Sequence, residues 1–314
     1  MGRIIKHLKN NYKIIIAFIL GVVISGGGVY AAVVITSKEI TYEDNTSIGA
    51  TNVQDAIDKL NTKATTKIAE AKKECPDGYN CISKPSSFSS DSWSTIANAV
   101  RLKSYPYQVG DTKTVDMGSL GTHTLRVANT SSCTNGETSQ TACGFVVEFA
   151  DIISKESMNS TETNVGGWPA SAMRTYVNTT VYSALPSDLQ NVIATTTVVS
   201  GHGSTSGEAN FTSSDKLYLL STKEVWGKDG TSNIINYDTA EAETRQLDYY
   251  KNNGVTTSNY GGTLKQYNDT NMIWWLRSAT SYATDGFFNV YGDGDWNNYH
   301  ANYILGVAPA FRIA

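Results

Sequence analysis

The sequence predicts an α+β domain carried outside the cytoplasm behind a single membrane-spanning segment. After Cys75, short strand-like and helix-like stretches are mixed without a regular alternation, which is the pattern of α+β rather than α/β proteins. Charged residues make up only 17% of the chain, against 40% hydrophobic residues. The exposed polarity therefore comes from Ser, Thr, Asn, Gly and Tyr, which suits an extracellular β-rich protein better than a cytosolic enzyme.

The N-terminus comes first in the argument. Arg3, Lys6, Lys9 and Lys13 precede any acid, the first of which is Glu39. Against a total of -4, these four cations leave the rest of the chain at -8. An acidic remainder without a basic cluster argues against nucleic acid as a partner. Ile14–Ile35 is a 22-residue stretch without a charge, long enough to cross a bilayer as a helix. The cations in front of it are expected to stay in the cytoplasm, placing the C-terminus outside the cell. A cleaved signal peptide is the alternative, with Ile14–Ile24 as its apolar region and Ala31 and Ala32 near the cut. The anchor is favoured because the apolar run continues past that cut site. The expected order is thus a cytoplasmic segment over 1–13, an anchor over 14–35, a spacer and helical stalk over 36–74, and an extracellular domain over 75–314.

In the stalk, Thr51-Asn52-Val53-Gln54 has the form of a capping box. Val53, Ile57, Leu60, Ala64, Ile68 and Ala71 follow at helical spacing on one narrow stripe. Such a helix either lies on the globular domain or pairs with copies of itself, making the chain a homo-oligomer; Lys67 interrupts the seam the second reading needs.

Within the domain, strands are expected at Thr112–Met117, Thr122–Ala128, Phe145–Phe149, Thr196–Ser200, Lys216–Leu220, Ile273–Leu276, Phe287–Tyr291 and Val307–Ile313. The first two form a hairpin around Gly118-Ser119-Leu120-Gly121. Helices are expected at Ser92–Arg101, Ala170–Asn178, Ser187–Ala194 and Thr239–Asn252, with Pro186-Ser187-Asp188 as a start signal. Cys75, Cys81, Cys133 and Cys143 are spaced wrongly for zinc and read as disulfides in an oxidising compartment. Three connectivities exist, of which the local pairs Cys75–Cys81 and Cys133–Cys143 are favoured.

Signs of catalysis are weak. The four histidines are scattered, and no serine nucleophile elbow, Cys–His signature or HExxH is present. No enzyme, cofactor or metal is expected. His202, in Ser200-Gly201-His202-Gly203-Ser204, reads as part of a surface turn. Asp293-Gly294-Asp295-Trp296-Asn297 starts like a calcium loop, but position six is Asn298 and position twelve Ile304, so it reads as a polar turn.

The segment Thr280–Leu305 stands apart. It is rich in Tyr, Asn and Asp and contains no Lys, Arg, Glu, Gln or Met, and apolar strands flank it on both sides. Tyr supplies rigid amphipathic contact area and small polar residues adapt their hydrogen bonds, as in antibody binding loops. An Asn-rich surface loop with structural tyrosines accounts for the composition equally well.

Trp274-Trp275-Leu276-Arg277-Ser278, the polar stretch, and Gly306-Val307-Ala308-Pro309-Ala310-Phe311-Arg312-Ile313 together resemble a domain of unknown function found in surface proteins of gut bacteria. Leu220-Ser221-Thr222-Lys223-Glu224-Val225-Trp226 and Arg245-Gln246-Leu247-Asp248-Tyr249-Tyr250 are similar to further blocks of it, over most of Trp93–Ala314. The same tail resembles the variable proteins of diversity-generating retroelements. That resemblance implies a C-type-lectin-like fold related to the formylglycine-generating enzyme. It also implies a C-terminal binding face rewritten by adenine-specific mutagenesis, which produces no Lys, Glu, Gln, Met or Trp from AAC or AAT codons. Only Trp296 departs from this within Thr280–Leu305. The copper-binding cysteine pair of the enzyme relatives is not carried over, since no cysteine follows Cys143. On this resemblance the ligand-binding residues are Tyr282, Ala283, Asp285, Asn289, Tyr291, Asp293, Asp295, Asn297, Asn298, Tyr299, His300, Asn302, Tyr303, Ile304 and Leu305. Trp274, Trp275, Val307 and Phe311 belong to the core. The expected function is that of a membrane-anchored adhesin or receptor for an unknown surface ligand, protein or glycan. An exported enzyme acting on glycan or peptide, and a structural module of a surface assembly, are the alternatives.

Overall fold

A computed structural model describes residues 55–63 and 84–314, apart from 134–135, 206 and 228–233, with backbone alone at 235 and 236. The chain divides into two compact units, Met1–Cys81 and Ile82–Ala314. In the first, residues 55–63 are helical, and Lys59 Nζ pairs with Asp55 Oδ2 at 3.0 Å, one turn apart. The expected anchor, the capping box at Thr51–Gln54, the rest of the stalk and Cys75–Cys81 lie outside the described residues. Among the described residues no helix is long and apolar enough to cross a membrane.

The second unit is α+β, as the mixed pattern predicts. Four strands, β1 (Thr112–Asp116), β2 (Thr122–Asn129), β3 (Phe145–Phe149) and β13 (Ala310–Ile313), form one sheet in the order β1-β2-β3-β13. The expected β1–β2 hairpin is present, with Val115 opposite His123 and a tight turn over Gly118–Leu120. β3 is buried along its whole length. A second sheet has the order β11-β10-β9-β12-β4, from Trp296–His300, Gly286–Val290, Trp274–Ala279, Leu305–Val307 and Ser154–Glu156. Strands β5 (Thr196–Ser200) and β6 (Phe211–Asp215) pair separately, as do β7 (Gln266–Tyr267) and β8 (Thr270–Asn271).

Several expected elements are corrected. Val307–Ile313 is not one strand. Its first part, in β12, runs parallel to β9, with Gly306 opposite Trp274; its second part, β13, pairs with β3 in the other sheet. Pro309 sits between the two, where its missing N–H costs no ladder bond. A side chain at Gly306 would collide with Ile152, so the crossing strand requires glycine there. Lys216–Leu220 contributes a single bridge, Tyr218 to Ala310, and the strand lies just before it, at β6. The helix expected over Ala170–Asn178 breaks at Ser171 and restarts, capped by the Ser171 hydroxyl, running through a π-type stretch at Val177–Val181 to Ala184. Ser187–Ala194 is helical only over Ser187–Gln190. Thr239–Asn252 forms a short 3-10 turn at Glu241–Glu243 and a helix at Asp248–Asn252. Between them the backbone is extended, and the N–H of Leu247 bonds the carbonyl of Glu224 rather than its own chain segment.

The core holds Trp168, Trp226, Trp274, Trp275, Phe287 and Phe288, all fully buried, along with Val307 and Phe311, in agreement with expectation. Cys133 and Cys143 form the expected disulfide.

Candidate functional site

The blocks that carry the sequence resemblance meet in buried polar networks. Ser221 caps the helix Thr222–Trp226, and Glu224 closes the capping box. The same Glu224 receives both Nη atoms of Arg277, at 2.6 and 2.7 Å, with both side chains fully buried. Arg277 Nη1 also donates to the Leu219 carbonyl at 2.8 Å. Beside this pair, Thr222 and Ser278 each donate to Asp238 Oδ2 at 2.5 Å; burial raises the Asp238 carboxyl despite those bonds. Arg245, Gln246 and Leu247 bind backbone of the Ala142, Val225 and Glu224 regions.

A second network centres on Glu148 of β3. Its carboxylate accepts from Arg126, Lys265 and Tyr250 at 2.8, 3.0 and 2.8 Å. Burial pushes the carboxyl up, but Arg126 and Lys265 outweigh it and hold it down at about 2. Burial in turn lowers Lys265 to about 8, against the pull of Glu148. Each ionised group in these networks has its partner inside the protein, so the networks hold the framework together. No group of three or more His, Cys, Asp or Glu that could hold a metal ion occurs among the described residues.

The framework presents the Tyr/Asn segment along one edge of the second sheet. Strand β11 was not foreseen as a strand, because Trp296-Asn297-Asn298-Tyr299-His300 has no apolar alternation; every one of its residues is half-buried or exposed. It pairs with β10 in a regular antiparallel ladder, Phe287 opposite Tyr299 and Asn289 opposite Asn297, and it ends the sheet. The connecting turn is tight. Tyr291 N–H bonds the Asp295 carbonyl at 2.7 Å, and Gly294 adopts φ +100 against the Tyr260 carbonyl, where any side chain would clash. The Asp293–Asn297 stretch therefore leaves a tight hairpin turn at Asp295 and enters β11 at Trp296.

Of the fifteen candidate residues, Tyr282, Tyr291, Asp293, His300, Asn302, Tyr303 and Ile304 are exposed. Ile304, Tyr282 and Tyr303 expose 64%, 50% and 48% of their surface. Ala283, Asp285, Asp295, Asn297, Asn298 and Tyr299 are half-buried. Asn289 and Leu305 lie inside and contribute nothing to the exposed surface. Aromatic rings cluster: Tyr299 and Tyr303 have centroids 5.2 Å apart, and His300 and Tyr303 5.9 Å. His300 Nδ1 lies 3.3 Å from Asp285, and Asn302 donates to Glu162 at 3.2 Å.

Sequence reasoning missed three neighbours of this face. Tyr237 packs edge-on against Tyr282 at 4.7 Å, Glu162 faces His300 and Asn302, and buried Asn164 donates to the carbonyls of Ala283 and Gly286 at 2.8 and 2.9 Å. They lie far away in the chain, and nothing in their local sequence marks them. The Ser200–Ser204 loop is corrected too. It is no open surface turn: Gly203 packs on Asn164 and Gly201 on Thr239.

Fold and site together define an α+β framework locked by buried ion pairs that displays an aromatic, amide-rich strand edge. The chain belongs to the family described as "Domain of unknown function (DUF6273)", which it matches over residues 146–314, more than half its length. The match starts within β3, well after Trp93. No curated protein and no solved structure matches the chain.

Proposed function

We propose that this chain is a membrane-anchored surface protein that recognises a ligand through the β10–β11 edge and the loops at Tyr282 and Tyr303. The single observation behind this reading is the exposure of Tyr282, Tyr291, Tyr303 and Ile304 in the connections at the two ends of β10 and β11, while strands β9 and β10 beside them are buried throughout. Aromatic side chains in such a setting make the dominant contacts of recognition surfaces. The C-type-lectin-like fold and the kinship with retroelement-diversified proteins belong to this reading. Surface positions on a rigid framework tolerate substitution at small cost in stability, which a diversified face needs.

The test uses cells displaying the full-length chain. A triple substitution of Tyr282, Tyr291 and Tyr303 to alanine is expected to abolish adhesion to target cells while the protein melts like the parent. Unchanged adhesion would refute the reading. The genomic counterpart is a near-copy of codons 275–314, with adenines at the variable positions, beside a reverse transcriptase gene.

A further inference from the structure

Four of the seven large hydrophobic side chains that lie exposed among the described residues gather at one end of the second sheet. Tyr282 precedes β10, and Tyr303 and Ile304 follow β11, at the end of the ladder where Gly286 lies opposite His300. Val165 joins them, because the N–H of its neighbour Asn164 bonds the Thr284 carbonyl at 2.7 Å. The loop that carries Tyr282 is closed by a bond from the Thr280 N–H to the Gly286 carbonyl at 3.1 Å, and Tyr237 backs the Tyr282 ring at 4.7 Å. Tyr299 stands beside Tyr303 at 5.2 Å. The rings are thus held by neighbours while Val165, Tyr282, Tyr303 and Ile304 stay open to solvent.

Two carboxylates lie within this patch. Asp285 Oδ2 and Glu162 Oε2 face the same ring nitrogen, Nδ1 of His300, at 3.3 and 3.8 Å, and both side chains are open to water. Glu162 also accepts from the Asn302 amide at 3.2 Å. Neither carboxylate pairs with Lys or Arg among the described residues. The sequence explains why. Residues 156–173, 234–244 and 278–311, the three segments that build this end, contain no Lys or Arg. Two like charges held this close repel, and no fixed cation of the patch offsets them.

We propose that this end of the sheet docks a basic protein partner, seating an arginine or lysine side chain between Asp285, Glu162 and the tyrosines. The inference rests on the recognition reading above and narrows its ligand to a cationic protein surface. The carboxylates supply the counter-charge, and a planar guanidinium can bond two of their oxygens at once. Tyr282 and Tyr303 offer aromatic rings to the same cation or to its methylene stem, while Val165 and Ile304 suit apolar residues beside it. Other ligands fit less well. An acidic protein, a nucleic acid or an acidic glycan would meet uncompensated negative charge. A neutral glycan leaves that charge unanswered. A metal ion lacks its ligand set, since Asp285, Glu162 and His300 do not converge as one.

The test applies the full-length chain in detergent micelles to immobilised peptides that share apolar flanks and differ only in a central Arg, Lys, Gln or Glu. The parent is expected to retain the Arg and Lys peptides about tenfold more strongly than the Gln peptide, and to lose the excess in high salt. The double variant Asp285→Asn/Glu162→Gln is expected to lose the preference while melting like the parent. His300→Lys keeps both carboxylates but sets an ammonium of the chain's own against them, and is expected to lose the preference too. Asp116→Asn, which neutralises an exposed carboxylate of the other sheet, should keep it. No preference in the parent overturns the proposal, as does its survival in either carboxylate-site variant or its equal loss in Asp116→Asn. If the double variant melts low, His300→Lys decides alone. A parent that adheres to target cells without favouring cationic peptides sinks the docking proposal and leaves the recognition reading standing. A parent that does neither sinks both.

Discussion

Phe287 and Tyr299 sit directly opposite each other in the β10–β11 ladder, yet Phe287 is fully buried while Tyr299 is only half-buried and packs on Tyr303. Within one strand spacing the protein passes from core to contact surface. That step separates substitutions that disturb folding from those that disturb binding.

Tyr299→Ala is therefore expected to cost little stability and to weaken ligand binding by more than about 2 kcal/mol, as for an aromatic anchor. Phe311→Ala, which empties a fully buried site opposite Val147, is expected to cost about 3–5 kcal/mol. Thermal melting and cell binding of both variants check this pair; a collapse of Tyr299→Ala would make the edge structural.

The Glu148 carboxyl is held at about 2 in the folded protein, below its ordinary value of 4.5. A depressed carboxylate contributes stability that is complete above its unfolded pKa and is lost as the pH falls through the folded one. The window is accordingly pH 4.5 down to 2, and the contribution is roughly 3 kcal/mol at about 1.4 kcal/mol per unit. Urea melts at pH 6, 4 and 3 should show the loss. Glu148→Gln should flatten it at the expense of leaving Lys265 and Arg126 without their counter-charge.

Arg277→Met leaves Glu224 charged and buried without its cation. Removing one partner of such a pair typically costs about 3–5 kcal/mol, whereas replacing both by apolar residues costs less. Chemical denaturation of Arg277→Met and of the double variant Arg277→Met/Glu224→Leu should therefore rank the double variant as the more stable. The reverse order would show that Glu224 stabilises the fold through its other bonds, the capping box with Ser221 and the hydroxyl of Thr244, even without Arg277.

The Cys133–Cys143 bridge closes a loop with a sequence separation of 10. Reducing it, or Cys133→Ser with Cys143→Ser, is expected to lower stability by about 2–3 kcal/mol. Mass spectrometry of a non-reduced digest should recover this pair joined, and a Cys133–Cys75 peptide would contradict it.

Protease added to intact cells is expected to degrade Cys75–Ala314 and to spare the N-terminal segment, because the cations precede the apolar run. Full protection of the domain would place it inside the cell and remove the basis of surface recognition.

Local pattern was enough where an element's reasons lie within it. The β1–β2 hairpin, β3 and β5 were all legible, since their apolar runs end at clear turn residues. The burial of Trp274, Trp275, Val307 and Phe311 was legible for the same reason. The composition of Thr280–Leu305 marked it as different, and its exposed tyrosines follow from that. Other features needed partners distant in the chain. Strand β11 has no apolar period of its own and exists because β10 offers it a ladder. The Thr239–Asn252 stretch has helical composition, but Arg245 and Leu247 find better hydrogen bonds at Ala142 and Glu224 than in a helix.

The sequence by itself determined the α+β class, the apolar strands, the local disulfide at Cys133 and the polar, cation-free character of the C-terminal segment, because each depends on composition or on neighbours a few residues apart. Only the tertiary structure decided that Val307 and Phe311 serve different sheets, that Glu224 neutralises Arg277, and that Asn289 turns inward with its amide unpaired. Those outcomes depend on which distant strands lie side by side. A one-residue change of register would turn Asn289 to the opposite face of the sheet without altering a letter of the sequence.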